Sequence, residues 1–318
     1  MVTLIKNEFI KIFKRKNIYI LLFLSLLVLL VYNLYLKSIN SKEDISKLYE
    51  NSYNNDMLRL EYYENFSEKE DYTTILERTK LESYAIENKI NYNILLNSEN
   101  NNTNMPEDAR ILLMRFFSNF EIIIILIIIY IVSSSFLDEF QNGTIKNALV
   151  KPHKRVTIIL SKIIASIIIS LILAIIIVLL QYLLGGIIYG VDSYGLEAIR
   201  YSFTTENIVT MNLFTYILII FCSKFSMFII FSLIIILLGL VTKNIPITIL
   251  ISLSLYAISK LEIFINSVKN IYYWDLSKYL FGEITGNLAM AIFISIIIIA
   301  VLTSAITIIF KRKDIVNE

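Results

Sequence analysis

The feature that most limits what this chain can fold into is an apolar run from Ile163 to Leu184, which contains no charged residue. As a helix it would rise about 33 Å, enough to cross the ~30 Å hydrocarbon core of a bilayer. The composition agrees, because 56% of the 318 residues are hydrophobic and only 18% are charged. A soluble globular domain does not carry this balance. The sequence therefore predicts an integral membrane protein.

Comparable apolar runs, separated by polar stretches, predict an all-α integral membrane fold with six transmembrane helices. An N-terminal interfacial helix precedes them, because apolar and basic residues recur there with helical spacing; the alternative is a frayed basic tail. The predicted segments are the interfacial helix 1–16, span 1 at 17–36, an acidic helical region at 37–113, span 2 at 114–137, a polar loop at 138–155, span 3 at 156–184, an outer loop at 185–207, span 4 with an outer extension at 208–242, span 5 at 245–263, a re-entrant or outer-leaflet segment at 264–287, span 6 at 288–310 and a tail at 311–318.

The basic residues at the ends of the spans predict the orientation. Lys151 and Lys154 follow span 2, Lys243 follows span 4, and Lys311 to Lys313 close span 6. The positive-inside rule makes this side cytoplasmic, and six spans place both termini there. Richness in Ile, Asn and Lys is typical of a low-GC bacterial genome, so we expect the cytoplasmic membrane of a bacterium.

The region 37–113 is dense in acidic residues and, with this orientation, faces outside. Apolar residues recur at intervals of three and four between Tyr72 and Leu96, which predicts a helix. An earlier helix is predicted from about Glu43 to Asn65. Fewer than 80 residues without disulfides favour a helical hairpin leaning on the membrane or on a partner over an independent domain.

Three charged residues interrupt or border the apolar runs. Glu121 lies near the outer end of span 2, and Lys162 lies one turn inside span 3, from where its ammonium can snorkel to the cytoplasmic surface. Lys224 lies 19 residues before Lys243, about 28 Å along a helix, which favours the outer interface. The alternative is a buried functional lysine. These three are candidate pathway or interface residues.

Several classes of function lack the residues that they need. No Walker A sequence, H-E-x-x-H or G-x-S-x-G occurs. One cysteine and one histidine do not make a soft-ligand metal site, and a net charge of +2 does not favour nucleic acid. The spans hold no central acid or base for a proton relay. We therefore expect no enzyme activity and no cofactor on this chain.

The polar loop carries the one informative motif. Asp138-Glu139 precedes Gly143-Thr144, a short amphipathic stretch follows, and Pro152-His153-Lys154-Arg155 leads to Lys162 inside span 3. Gly143 can adopt positive φ or permit close backbone approach, Thr144 can cap a helix from Ile145 to Val150, and Pro152 would end that helix. The alternative is an ordinary cytosolic loop with a chance Gly-Thr pair.

This pattern resembles that of ABC-2 type transporter permeases, closely over about 30 residues and loosely over the whole chain. The resemblance implies that the loop is a coupling helix, which docks on an ATP-hydrolysing subunit. The residues implied in docking are Glu139, Gly143, Thr144, Ile145, Lys146, Leu149, Pro152 and Arg155. His153-Lys154 replaces the more usual residues before Arg155, which leaves the substrate branch open.

The resemblance further implies an exporter that moves an amphiphile, such as an antimicrobial peptide, a drug or a lipid. Its partners would be cytosolic ABC ATPase subunits, which carry ATP and Mg²⁺, and a second permease that is either another copy or a homologue. The alternative is a non-transporting sensor or assembly protein that recruits a cytosolic partner through the same loop.

Overall fold

A computed structural model of the chain describes residues 1–39, 45–65, 69–90, 121–144, 154–191, 197–202, 207–260 and 288–312, together with Leu276 and five single positions between 109 and 116. Within these residues the helices are α1 (Val2–Phe13), α2 (Lys16–Ile39), α3 (Ile45–Asn65), α4 (Lys69–Glu87), α5 (Glu121–Gln141), α6 (Arg155–Tyr189), α7 (Leu213–Thr242), α8 (Ile245–Lys260) and α9 (Leu288–Arg312). Two strands, β1 (Glu197–Ser202) and β2 (Asn207–Asn212), lie between α6 and α7.

Five of the described helices, α2, α5, α6, α7 and α9, are long and apolar enough to cross a membrane. Helix α8, at the place of predicted span 5, is a shorter apolar helix of 16 residues. At 1.5 Å per residue it rises about 24 Å, less than a typical hydrocarbon core. The six-span layout therefore stays a prediction. The predicted re-entrant segment 264–287 lies, apart from Leu276, outside the described residues.

The boundary predicted for span 3 differs from the structure. The helix does not stop at Gly185-Gly186 but continues to Tyr189, where Gly190 ends it with φ +85°. Glycine inside a helix costs about 1 kcal/mol relative to alanine. Gly185 is tolerated because Ala109 packs closely against it: a Cβ on Gly185 would lie 3.2 Å from Ala109. Packing thus overrides the local propensity that the sequence shows.

The start of the helix that contains Lys224 also differs from the prediction. Helix α7 is continuous over 30 residues, so the predicted outer extension and span 4 form one element from Leu213. The side-chain oxygen of Asn212 accepts a hydrogen bond from the backbone N–H of Phe214 at 2.9 Å. This is the geometry of a helix N-cap, and it marks the end of β2 and the beginning of α7.

The chain forms two compact units. The first contains α1, the start of α2, α5, most of α6 and the chain from Ile220 onward. Its helices pack closely: a Cβ on Gly239 of α7 would lie 3.2 Å from the side chain of Leu137 of α5. The hydroxyls of Ser170 on α6 and Ser232 on α7 are 2.9 Å apart, and both are buried. A hydroxyl pair between apolar helices satisfies groups that lipid could not.

The second unit contains the rest of α2, the pair α3 and α4, the end of α6 and the β-hairpin. Asn33 and Gln181 exchange two amide hydrogen bonds, of 3.1 and 3.2 Å, between α2 and α6. The antiparallel strands β1 and β2 were not predicted. Ile199 and Ile208, one on each strand, pack against Leu81 and Ala85 of α4, which gives the hairpin its hydrophobic contact.

The helices α3 and α4 are the pair expected in the acidic region, and α4 ends at Glu87 rather than Leu96. Lys89 adopts φ +52°, and the Ile90 N–H donates to the Ala85 carbonyl at 2.9 Å. This left-handed residue closes the helix in the way that C-terminal caps do. Residues 91–96 lie outside the described part of the chain.

A buried charge cluster joins α3 to α4. Arg78 of α4 contacts the Asp56 carboxylate at 2.8 Å and the Glu82 carboxylate at 3.2 Å, and Ser52 donates to Glu82. Burial raises the pKa of Asp56 against the lowering effect of Arg78. Burial also raises the pKa of Glu82, opposed by the Ser52 hydrogen bond and assisted by the charge of Asp56. Two carboxylates thus share one central cation.

We expect the α3–α4 pair to be more stable at pH 5 than at pH 8. A raised pKa in the folded state means that the folded pair binds protons that the unfolded chain, with carboxyl pKa values of about 4, has released. The free energy of unfolding should therefore fall as the pH rises through the raised values. Hydrogen exchange of the full-length protein, corrected for the intrinsic pH dependence of exchange, measures this in the α3 and α4 amides. Glu82→Gln should reduce the difference, and protection that increases with pH would contradict the expectation.

Candidate functional site

The end of α5 is capped by a glycine in a left-handed conformation. Gly143 has φ +66°, and its N–H donates to the Phe140 carbonyl at 3.3 Å. The Thr144 hydroxyl donates to the Glu139 carbonyl at 3.5 Å. Apart from its chain neighbours, no atom of the described residues lies within 4 Å of where a Cβ on Gly143 would be, so the backbone conformation favours glycine here. The cap sets the direction in which the chain leaves α5.

Four buried or half-buried charges meet where α1 contacts the end of α5 and the start of α6. The Lys162 ammonium lies 2.8 Å from Oε2 of Glu139 and 3.2 Å from Oε1 of Glu8. The Lys11 ammonium lies 2.5 Å from Oε1 of Glu139 and 3.2 Å from Oε1 of Glu8. Each carboxylate therefore contacts both ammonium groups, and two negative charges balance two positive ones. We call Glu8, Lys11, Glu139 and Lys162 the four-charge network.

Because the four-charge network is largely buried, its charges are stabilised by one another more than by water. Lys162 is 3% exposed, and Glu8 and Glu139 are each 8% exposed, whereas Lys11 is exposed at its edge. Burial lowers the pKa of Lys11, but the hydrogen bond to Glu139 and the charges of Glu8 and Glu139 outweigh this and raise it. Because the pKa of Lys11 is raised on folding, the contribution of its charge to stability is fully present below the pKa of an unfolded lysine, about 10.4. Lys11 therefore stays charged throughout the physiological range.

Sequence reasoning missed Glu8 and Lys11 as members of a site. The pattern of residues 1–16 indicated only apolar and basic residues at helical spacing. In the structure Glu8 is buried together with Ile12, one helical turn later, so this acidic residue lies on the packed face of α1. A signal was present, because Glu8 is the only acidic residue among the first 16 and lies three positions before Lys11.

A second ion pair joins the same elements. The guanidinium of Arg15, between α1 and α2, lies 2.7 Å from the carboxylate of Asp138 on α5. Both side chains are half-exposed, so this pair contributes less than a buried one because water and salt screen it. Together with the four-charge network it holds the N-terminal helix against the end of α5.

The predicted docking residues are only in part within the described chain. Glu139, Gly143 and Thr144 lie at the end of α5, and Arg155 begins α6. Ile145, Lys146, Leu149 and Pro152 lie outside the described residues, so the coupling helix itself stays a prediction. The structure brings Glu139 and Lys162 together, and it shows that both sides of the loop are anchored by the same charges.

Glu121 and Lys224, which the sequence placed separately near the outer boundary, are partners. The Lys224 ammonium lies 2.8 Å from Oε2 of Glu121, and the Tyr256 hydroxyl donates to Oε1 at 3.3 Å. All three side chains are buried, and they connect α5, α7 and α8. Charges inside helices of this apolarity need such partners, because lipid offers none.

A family model for the ABC-2 family transporter protein matches residues 2–315, nearly the whole chain. The chain belongs to the ABC-2 transporter family. The match includes the charged end of α5, the start of α6 and the N-terminal helix that contacts them. Comparison with curated proteins and with solved structures gave no significant match.

Family membership confirms the resemblance seen in residues 138–162. It makes this ABC-2 permease a multi-pass membrane protein and a transport subunit rather than the ATPase, and it implies association with an ABC ATPase. The four-charge network lies at the base of the polar loop for which docking was predicted.

Proposed function

We propose that this ABC-2 permease is the membrane subunit of an ATP-driven exporter, and that the loop 138–155 docks on a separate cytosolic ATPase. In this proposal the loop, both termini and the four-charge network are cytoplasmic. The basic residues after spans 2, 4 and 6 support that orientation. A second permease, a copy or a homologue, would complete the transport pathway.

The observation that carries the proposal is the four-charge network at the base of the loop. Glu139 lies two residues before the end of α5, and Lys162 lies two turns into α6, so the ion pair connects the chain before the loop to the chain after it. Because the ion pair connects α5 and α6, a displacement of the loop moves both helices together. An element that transmits a conformational change from a partner needs this property.

The proposed mechanism follows from this geometry. ATP binding by the partner closes its two subunits and displaces the docked loop. Because Glu139 and Lys162 hold α5 and α6 together, and Glu8 and Lys11 hold α1 to both, the displacement moves three helices as one body. Movement of α5 and α6 alters the pathway between two permeases, and an amphiphile leaves the cytoplasm or the inner leaflet.

A cationic antimicrobial peptide is the cargo that the acidic region between α2 and α5 favours. The acids of this region whose side chains the structure describes differ in exposure. Asp56 and Glu82 are buried against Arg78, so they do not present charge to a ligand. Glu50, Glu61 and Glu87 are exposed on α3 and α4. Neutralising these three residues should reduce resistance to a cationic peptide, and unchanged resistance would remove this choice of cargo.

The rival proposal is a membrane sensor or assembly protein that recruits a partner through the same loop without moving a substrate. The two differ in one measurable respect. An exporter loses substrate efflux when its ATPase carries a substitution that abolishes hydrolysis, although the two proteins still co-purify. A recruiting protein has no efflux to lose.

For docking, we expect Gly143→Ala to weaken co-purification with a co-expressed ABC ATPase by about tenfold. A non-glycine residue at positive φ costs about 1–2 kcal/mol, and 1.4 kcal/mol corresponds to tenfold in affinity. In this proposal docking requires Gly143 to keep its positive φ, so the cost falls on docking. The measurement is ATPase bound per permease across a titration of ATPase.

Gly190→Ala is the matched control for this variant. Gly190 also has positive φ, at +85°, and no atom of the described residues, its chain neighbours apart, lies within 4 Å of its missing Cβ; it ends α6, whose other end follows the loop. Gly190→Ala carries the same kind of backbone cost outside the loop, so ATPase binding should be unchanged. Equal ATPase binding by wild type and Gly143→Ala would overturn the docking proposal, as would equal loss in both variants.

A further inference from the structure

A cavity lies at the elbow between α1 and α2, beside the cytoplasmic half of α5 and the first residue of α8. Its volume is about 300 Å³, at the lower end of the range of small-molecule sites. Its polar lining residues are Arg15, Lys16, Asn17, Tyr130, Ser134, Ser135 and Asp138. Its apolar lining residues are Ile12, Ile18, Ile131 and Ile245. A lining that combines polar and apolar side chains is suited to the head of an amphiphile.

The charged residues in the cavity lining, Arg15, Lys16 and Asp138, carry a net positive charge. Arg15 is neutralised by Asp138 at 2.7 Å, and four of the five guanidinium N–H donors remain for other groups. Lys16 is exposed and has no ion-pair partner among the described residues. The cavity therefore favours an anion with several acceptor oxygens.

One hydroxyl in the cavity wall is placed for such a ligand. Ser135 is 7% exposed, and its side chain makes no hydrogen bond to another described residue. Its neighbours Ser133 and Ser134 instead donate to backbone carbonyls within α5. Elsewhere in the lining, the Asn17 amide donates to the Tyr130 hydroxyl at 2.8 Å, which leaves the Tyr130 proton available to an acceptor.

The position of the cavity in the fold points to the headgroup level of a bilayer. Helix α2 is a candidate span that begins at Lys16, and only Lys14 and Arg15 separate it from α1. Helix α5, another candidate span, ends three residues after Asp138. After the lining residues Lys16, Asn17 and Ile18, α2 exposes Tyr19, Ile20 and Phe23, each more than half exposed. These exposed residues follow the cavity along the candidate span α2.

We propose that this cavity holds the phosphate headgroup of an anionic phospholipid, with its acyl chains along the exposed face of α2. The phosphate would meet Lys16, the outer N–H groups of Arg15 and the Ser135 hydroxyl. The isoleucines in the cavity lining argue against free phosphate, because phosphate gains nothing from apolar contact. Because the chain belongs to a family of membrane transporters, a membrane phospholipid is available to supply this phosphate group. The inference does not depend on which substrate the permease exports.

The test uses full-length permease purified without its ATPase, so docking and transport do not enter the result. Native mass spectrometry would compare retention of phosphatidylglycerol and phosphatidylcholine with identical acyl chains. We expect phosphatidylglycerol to be retained more tightly by wild type. Lys16→Met should reduce that preference by about fivefold, which corresponds to one lysine at a membrane surface. Ser135→Leu, which fills the cavity without changing charge, should reduce retention of phosphatidylglycerol as well.

Lys14→Met is the matched control, because Lys14 is an exposed cation two residues away that does not line the cavity. It should leave the preference unchanged. Equal retention of the two lipids by wild type would overturn the proposal, and so would equal loss in Lys14→Met and Lys16→Met. Displacement of the lipid by millimolar inorganic phosphate would instead assign the cavity to a free anion and overturn the lipid source.

Discussion

Lys162→Met is expected to destabilise the permease by roughly 3–5 kcal/mol, the cost of removing one partner from a buried charge pair. Lys162 is 3% exposed and contacts both Glu139 and Glu8. Methionine keeps the length of the side chain but leaves two buried carboxylates with Lys11 as their only cation in the four-charge network. The free energy of unfolding in mixed micelles, titrated with a denaturing detergent, measures the loss.

Lys154→Met is the control for the loss of a lysine near the same loop. Lys154 is exposed and precedes α6, so its replacement should change stability by no more than about 0.5 kcal/mol. The double variant Lys162→Met with Glu8→Gln should lose less than the sum of the two single variants, because Glu139 and Lys11 then remain as a balanced pair. A Lys162→Met variant as stable as Lys154→Met would show that the network is not holding these helices together.

Lys224→Met is expected to have the second large effect, again roughly 3–5 kcal/mol. It removes the cation that Glu121 contacts at 2.8 Å inside a set of apolar helices. Tyr256→Phe should cost less, about 1 kcal/mol, because it removes one hydrogen bond to the same carboxylate. The same unfolding measurement orders the two variants.

The double variant Glu121→Met with Lys224→Met separates a charge effect from a packing effect. Removing both charges also removes the cost of burying them, so the double variant should be more stable than either single variant. If it is less stable than both, the two side chains contribute through their contacts with neighbours and not through each other. In that case the ion pair would not explain the burial of Lys224.

The family motif shows how far local sequence can lead. Positive φ was one of the two roles expected of Gly143 from its place in the polar loop, beside close backbone approach, and the structure gives φ +66°. Such a prediction depends on two or three adjacent residues and on the steric properties of glycine. The role of Glu139 in docking stays a prediction, because the segment predicted to be the coupling helix lies outside the described residues.

The partners of the buried charges could not be predicted from adjacent residues. Glu139 contacts Lys11 across 128 residues of sequence, and Lys162 contacts Glu8 across 154. Tyr256 reaches Glu121 across 135. Hydropathy placed Glu121 and Lys224 at one level of the bilayer, but it carries no information about which face of each helix meets which neighbour.

By itself the sequence determined that this chain is a membrane protein, where its apolar helices lie and to which family it belongs. These properties follow from hydropathy summed over a bilayer thickness and from one short motif, both of which are local. Only the tertiary structure decided that α6 continues through Gly185-Gly186, that a β-hairpin packs on α4, and that Glu8 of the N-terminal helix completes a network at the loop. Those features arise from packing between segments that are remote in sequence, where the energy of the contact outweighs the preference of each segment alone.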